Sequence, residues 1–132
     1  MGGLLRCWGS NSFGQLGDGT RMDRAFAVEV RTEVSFTAVA SGAWHTCGLV
    51  ADGRVLCWGR NDAGQLGDGT TTDRMMPVAV VDLPPAQAIA SGGRHTCAIT
   101  RTNLMYCWGN NTSGQLGDGT RAARMRPVAV QF

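Results

Sequence analysis

Apolar and polar residues alternate along short stretches of this chain, and the pattern is clearest in its middle third. β-Prone runs of this kind occupy residues 34–40, 45–50, 54–58 and 75–80. The two central runs flank ADG at 51–53, a connection that favours a hairpin closed by a left-handed glycine. Pro77 has no N–H to donate, so the last run is expected at the edge of a sheet. No stretch shows helical apolar spacing over three turns, and the pattern therefore predicts an all-β fold.

The same pattern returns every 50 residues. The motif CWGxNxxGQLGDGT occupies residues 7–20, 57–70 and 107–120. Two further markers keep this step, ASGxxHTC at 40–47 and 90–97 and PVAV at 77–80 and 127–130. A fixed period of this length is typical of stacked supersecondary units. Four short antiparallel strands in each unit correspond to one blade of a β-propeller.

The period divides the chain into a partial blade at 1–32, holding only the third and fourth strands, and complete blades at 33–82 and 83–132. We therefore expect an incomplete propeller ring in one chain. Repeats of this kind bury their apolar faces only against their neighbours. Exposed faces and unpaired edges invite pairing with another chain, so self-association is expected.

Residues that recur at the same place in every copy are expected to form the repeated core, because large aromatic side chains dominate packing between sheets. The two histidines precede a cysteine by two positions, and each ring is expected to bond backbone between blades. The expected structural core comprises Trp8, Trp58, Trp108, Leu16, Leu66, Leu116, His45 and His95.

The five cysteines have an informative spacing. A hairpin loop at 51–53 places Cys47 opposite Cys57, and the same count places Cys97 opposite Cys107. Both pairs are expected at non-hydrogen-bonded sites, where the Cα atoms lie closest and a cross-strand disulfide is feasible. Buried free thiols are the alternative. Cys7 is left without a partner. Oxidised pairs favour a secreted or surface-exposed parent protein.

Composition excludes several classes of function. A hydrophobic content of 43% and a net charge of +2 describe an ordinary folded chain. The arginines that follow each GDGT lack interleaved aromatic residues, so no nucleic-acid partner is expected. No apolar run approaches membrane-spanning length, and the first residues lack the pattern of a signal peptide.

The candidate chemical motifs are weak. A zinc site built on His45, Cys47 and Cys57 lacks a fourth ligand. The GQLGDGT loop has neither the Lys-Ser/Thr of a P-loop nor the alternating acids of an EF-hand, and its Asp-Gly is typical of a turn. The near-identical copies are expected to supply no acid or nucleophile that is unique to one of them. We therefore expect no metal, no cofactor and no catalysis.

Positions that differ between copies are the better candidates for binding. Trp44 stands where the next copy has Arg94, and Phe13 and Arg60 occupy loop positions that also vary. Bulky residues that change from copy to copy are expected at the surface. The weak binding candidates are therefore Trp44, Arg94, Phe13 and Arg60.

The recurring ASGxxHTC, CWGxNxxGQLGDGT and PVAV motifs resemble the RCC1 (regulator of chromosome condensation) repeat in its bacterial form with paired cysteines. This resemblance implies seven-bladed propellers, and the family's eukaryotic founder is a guanine-nucleotide exchange factor for Ran that docks on nucleosomes. Other relatives are interaction platforms. A non-catalytic protein-interaction scaffold with an unknown protein partner is the first hypothesis. An exchange-factor-like regulator of a small GTPase is the alternative, and a propeller-based enzyme is a third hypothesis.

Overall fold

The computed structural model describes residues 4–131, which contain ten β-strands and no helix. The strands are β1 (Arg6–Gly9), β2 (Arg24–Glu29), β3 (Phe36–Ser41), β4 (His45–Val50), β5 (Val55–Gly59), β6 (Arg74–Ala79), β7 (Ala86–Ser91), β8 (His95–Thr100), β9 (Met105–Gly109) and β10 (Arg124–Ala129).

The strands form three antiparallel sheets in which each strand pairs with its neighbour in sequence. The first sheet holds β1 and β2, the second has the order β3-β4-β5-β6, and the third has the order β7-β8-β9-β10. β6, which contains Pro77, lies at an edge as predicted. The sheets do not close into a ring. The all-β fold of four-stranded antiparallel units that the alternation predicted is confirmed.

The central hairpins have the register that the cysteine spacing predicted. Cys47 lies opposite Cys57, and their Cα atoms are 4.1 Å apart. Each of the two expected pairs, Cys47–Cys57 and Cys97–Cys107, is a disulfide, whereas Cys7 is unpaired within residues 4–131. β4 and β5 are buried along their whole length, so the hairpin that carries the first disulfide lies at the centre of the array.

The GQLGDGT loops are held by a buried asparagine. Asn61 Nδ2 donates to Asp68 Oδ1 (3.1 Å) and to the Thr70 and Thr72 carbonyl oxygens (both 3.0 Å), while Asn61 Oδ1 accepts from Leu66 N (3.0 Å). Asp68 Oδ1 also accepts from Thr70 N two residues further on, which is the turn that Asp-Gly predicted. The network recurs around Asn11 and Asn111.

Within residues 4–131, the first and second loops each pack against the sheet that follows. A Cβ atom at Gly17 would lie 2.7 Å from Trp58 Nε1, and one at Gly67 would lie 2.6 Å from Trp108 Nε1, so the glycines leave room for the indole rings. Both tryptophans are completely buried. The recurring Trp thus fills the contact between sheets, as expected for two of its three copies.

Trp8 departs from this expectation, since 65% of its surface is exposed. The tryptophan is buried by the loop of the preceding unit, and within residues 4–131 no such loop covers Trp8. Leu16, Leu66 and Leu116, which lie inside their own loops, are all buried. The recurring leucine therefore depends on its own unit, whereas the recurring tryptophan depends on its neighbour.

The main hydrophobic core lies between the second and third sheets. Apolar residues of both sheets meet there around the first disulfide, in a cluster comprising Cys47, Leu49, Val55, Cys57, Leu66, Ala86, Ala98 and Trp108. Side chains of both sheets contribute to this cluster, and the contact between units is therefore part of the fold.

Candidate binding site at the unit junctions

Two aromatic rings meet where the first unit contacts the second. Trp44 lies in the turn between β3 and β4, and Phe13 lies in the loop between β1 and β2. Their ring centroids are 5.6 Å apart at an interplanar angle of 65°, which is an edge-to-face contact. Trp44 remains 38% exposed. The pair therefore fixes an indole ring at the surface.

A charged group continues this surface towards the third unit. The guanidinium carbon of Arg60 lies 4.8 Å from the Phe13 ring centroid, a cation–π contact. Asp62 Oδ2 accepts from Arg60 Nη2 at 2.7 Å and from Arg94 Nη2 at 2.9 Å. One carboxylate thus links the loop after β5 to the turn between β7 and β8. We call this set the junction cluster, namely Phe13, Trp44, Arg60, Asp62 and Arg94.

The electrostatics of Asp62 follow from these contacts. Partial burial by itself would raise the pKa of Asp62, but hydrogen bonds from Arg60, Gln65 and Arg94 outweigh burial and lower the pKa below its ordinary value. Asp62 is therefore a carboxylate at neutral pH, and it holds two guanidinium groups in place.

The junction cluster brings together all four binding candidates derived from the sequence. The expectation that no acid is unique to one copy was wrong for Asp62, which sequence reasoning missed although its position also varies between copies. The equivalents of Asp62 are Ser12 and Thr112, and those of Arg60 are Ser10 and Asn110. None of these residues has a charged side chain, so the cluster occurs at one place in the array. The signal that could have found Asp62 was present in the sequence.

A buried hydrogen-bond chain lies near the cluster and connects the units. His45 Nε2 lies 2.9 Å from Thr96 Oγ1, and the Thr96 hydroxyl donates to the Gln65 carbonyl oxygen at 2.8 Å. Because the hydroxyl proton is used on Gln65, His45 Nε2 must be the donor to Thr96. The Thr46 hydroxyl makes the equivalent bond to the Gln15 carbonyl oxygen at 3.0 Å.

The sequence predicted that the histidine ring would bond backbone, and that prediction was wrong for His45, which bonds a threonine hydroxyl of the next sheet. Burial, with a smaller contribution from the charge of His95, lowers the pKa of His45 to about 4. Burial also lowers the pKa of His95, which is only partly buried. His45 is therefore a neutral structural residue at neutral pH.

The remaining chemical candidates do not form a site. Cys47 and Cys57 are bonded to each other, so neither offers a thiolate to zinc. Across residues 4–131, no group of three or more His, Cys, Asp or Glu side chains is arranged to hold a metal ion. The same part of the chain has no helix of the length and apolarity needed to cross a membrane. Burial raises the pKa of the Cys7 thiol, which makes it less reactive.

These observations describe a propeller-type repeat protein whose described residues include a surface cluster, the junction cluster, that is not repeated in the other units. The family model of the regulator of chromosome condensation (RCC1) repeat matches residues 3–49, 52–99 and 103–132, and a second RCC1 repeat model matches residues 36–65 and 86–115. The chain belongs to the RCC1 repeat family. The match at 3–49 runs from β1 to β4, so one sequence repeat joins the end of one sheet to the start of the next.

Solved structures show the same fold. Yeast RCC1 (Prp20), solved bound to Kap60, is 21% identical with a TM-score of 0.84 over 98% of this chain and 33% of its own. Prp20p from Saccharomyces cerevisiae is 23% identical (TM-score 0.83; 98% and 34%), and human WBSCR16 is 22% identical (TM-score 0.81; 95% and 34%). The chain thus spans about a third of their length. A search of curated proteins finds no match.

Proposed function

We propose that this chain is a non-catalytic protein-interaction scaffold and that the junction cluster is its contact surface. The observation that carries the proposal is the convergence of variable positions. Side chains that repeat in every unit hold the loops and the contacts between sheets, whereas Phe13, Trp44, Arg60 and Asp62 differ from their equivalents and meet in one partly exposed cluster. Tryptophan and arginine are the residues most enriched among the dominant contacts of protein interfaces.

The solved relatives support a binding role. The structure of yeast RCC1 (Prp20) is a complex with Kap60, and the study of Prp20p concerns its binding to Gsp1p and histones. Fold similarity does not carry function by itself, and the loops of this chain are short and uniform. We therefore favour a scaffold over an exchange factor, which is the alternative.

A variant that exchanges the cluster for residues of the other copies tests the scaffold proposal. Phe13→Ala, Trp44→Arg and Arg60→Asn each install the residue found in another unit, and together they leave the net charge unchanged. Partners isolated by affinity enrichment on the wild-type chain are then titrated by calorimetry. We expect the triple variant to bind at least about tenfold more weakly, since interface anchors of this kind cost more than about 1.4 kcal/mol.

The matched control is Arg54→Asn, which removes an exposed arginine from the β4–β5 hairpin at the other end of the strands. Its pair with Asp52 is exposed and contributes little to stability. Partners that bind the triple variant and the wild-type chain equally would exclude the cluster as the contact surface.

We also propose that copies of this chain associate head to tail. Trp8 and Phe26 are 65% and 85% exposed, whereas the equivalents of Trp8 are buried against Gly17 and Gly67. At the opposite end of the array, Gly117 is the equivalent of Gly17 and Gly67, and a Cβ atom there would lie 3.0 Å from the Val130 side chain and near no indole ring of residues 4–131. The surface around Trp8 and the surface of the third loop correspond to the two sides of the contact between a loop and the following sheet, which occurs twice within the chain. Head-to-tail contacts of this kind between copies generate rings or filaments.

Light scattering across a concentration series tests this association. We expect the mass to rise above that of one chain with concentration, and Trp8→Gln to shift the rise to higher concentration. A constant monomer mass for the wild-type chain, or identical curves for both proteins, would contradict head-to-tail association.

A further inference from the structure

The junction cluster has more hydrogen-bond donors than its own carboxylate can accept. A guanidinium group carries five N–H donors. Within residues 4–131, the guanidinium groups of Arg60 and Arg94 each donate one hydrogen bond, and both bonds go to Asp62 Oδ2. Their side chains are 28% and 43% exposed. Two positive charges face one negative charge, so the cluster carries a net positive charge and open donors.

An ordered aromatic surface lies beside these donors. Trp44 contacts Phe13 edge to face, and Arg60 lies over the Phe13 ring, so the three side chains hold one another in place. The exposed part of the indole is therefore arranged before any partner arrives. A rigid aromatic ring loses little conformational entropy on binding, and it favours an apolar side chain as its contact.

We propose that the junction cluster binds an acidic peptide segment of a partner protein. A carboxylate of the segment accepts hydrogen bonds from Arg60 and Arg94, and a neighbouring aromatic or branched aliphatic side chain packs on Trp44. Guanidinium groups match the planar geometry of a carboxylate with two parallel N–H···O bonds. Asp62 positions the two arginines without neutralising both of them. This inference rests on the proposed function and specifies the chemistry of its partner.

A protein segment fits the cluster better than nucleic acid does. Nucleic-acid binding requires a row of cations that follows successive phosphates. The cluster offers one surplus positive charge next to one exposed indole, which matches a single carboxylate with an apolar neighbour.

Selection from a random peptide library displayed on phage tests the inference on the full, oxidised chain. We expect the enriched peptides to share an aspartate or glutamate beside an aromatic or branched aliphatic residue. Synthetic peptides are then measured by fluorescence anisotropy. Trp44→Ala should weaken binding by about 30-fold, as for a dominant interface residue. Replacement of the peptide's acidic residue by its amide should weaken it about tenfold.

The control protein is again Arg54→Asn, which should bind like the wild-type chain. Raising the salt concentration should weaken the binding of the acidic peptides and leave the binding of their amide versions almost unaffected, because exposed charges are screened. Enriched peptides that need the cluster but lack acidic residues would overturn this inference and leave the scaffold proposal standing. Peptides that bind the triple variant equally would overturn both, whereas no enrichment at all would overturn this inference and leave the scaffold proposal to the partner titration. Tighter binding of single-stranded DNA than of any selected peptide would also overturn the inference.

Discussion

Single polar residues hold the loops of this protein, and each of them is satisfied almost completely. Asn11, Asn61 and Asn111 are fully buried and use their side-chain amides as both donor and acceptor. The hydrogen bond from the Thr120 hydroxyl, supported by Thr120 N and Arg124, lowers the pKa of Asp118 to about 2. Most buried polar groups in folded proteins are paired in this way. These residues explain why the motif repeats almost unchanged.

His45 makes stability depend on pH, and the sign follows from its lowered pKa. Between pH 6.5 and about 4 the unfolded chain binds a proton at this histidine and the folded chain does not, so acidification favours unfolding. We expect the wild-type chain to lose about 2 kcal/mol of unfolding free energy between pH 7 and pH 5 through this residue. The measurement is urea denaturation at both pH values.

His45→Gln should flatten this pH dependence, because the glutamine amide can still donate to Thr96 and does not titrate. His95→Gln is the matched control and should change the dependence less, since His95 is only partly buried. The carboxylates with lowered pKa values, such as Asp68, lose their stabilising effect only on acidification below about pH 4, outside this window. An unchanged pH dependence in His45→Gln would contradict the assignment.

At the scale of the strands, local pattern was sufficient for most of the prediction. Alternation and the turn at 51–53 predicted the β4–β5 hairpin, and counting outward from that turn placed Cys47 opposite Cys57. Pro77 predicted an edge strand because proline has no N–H to donate to a neighbouring strand, and this property belongs to a single residue. These features depend on residues that lie close together in the sequence, so the sequence pattern is sufficient to predict them.

Contacts between units were predicted less well because they depend on residues about 50 positions apart. The sequence did not show that His45 bonds Thr96, a separation of 51 residues. It predicted burial for Trp8, which is 65% exposed. The repeated motif identifies the tryptophan, but it does not show whether the loop of a preceding unit covers it. Of the candidate site, four residues were predicted as variable positions, and only the structure shows that they meet around Asp62.

At the scale of the whole molecule, the units are joined by the core between the second and third sheets and by contacts between each of the first two loops and the following sheet. Gly69 N donates to the Met125 carbonyl oxygen at 2.9 Å, and Gly19 N donates to that of Met75 at 3.0 Å. The units therefore stabilise each other in series, as expected for repeat arrays, in which stability sums unit and interface contributions. The contribution of one interface to the free energy of unfolding can therefore be measured with a pair of identical substitutions. One is made at the interface, and the other at the equivalent position that has no neighbouring sheet within residues 4–131.

Gly64 and Gly114 allow this measurement, because they are equivalent residues with φ angles of 81° and 74°. Gly64→Ala and Gly114→Ala should both lower the free energy of unfolding by about 1 kcal/mol, because alanine is strained in the left-handed backbone conformation. A Cβ atom at Gly64 would also lie 2.7 Å from Met125 Cα, whereas at Gly114 the nearest atom is 4.0 Å away. We expect Gly64→Ala to be less stable by a further 1–3 kcal/mol, roughly the cost of overpacking. Urea denaturation of dilute protein measures the difference, and equal losses in the two variants would mean that the loop of the second unit does not support the third sheet.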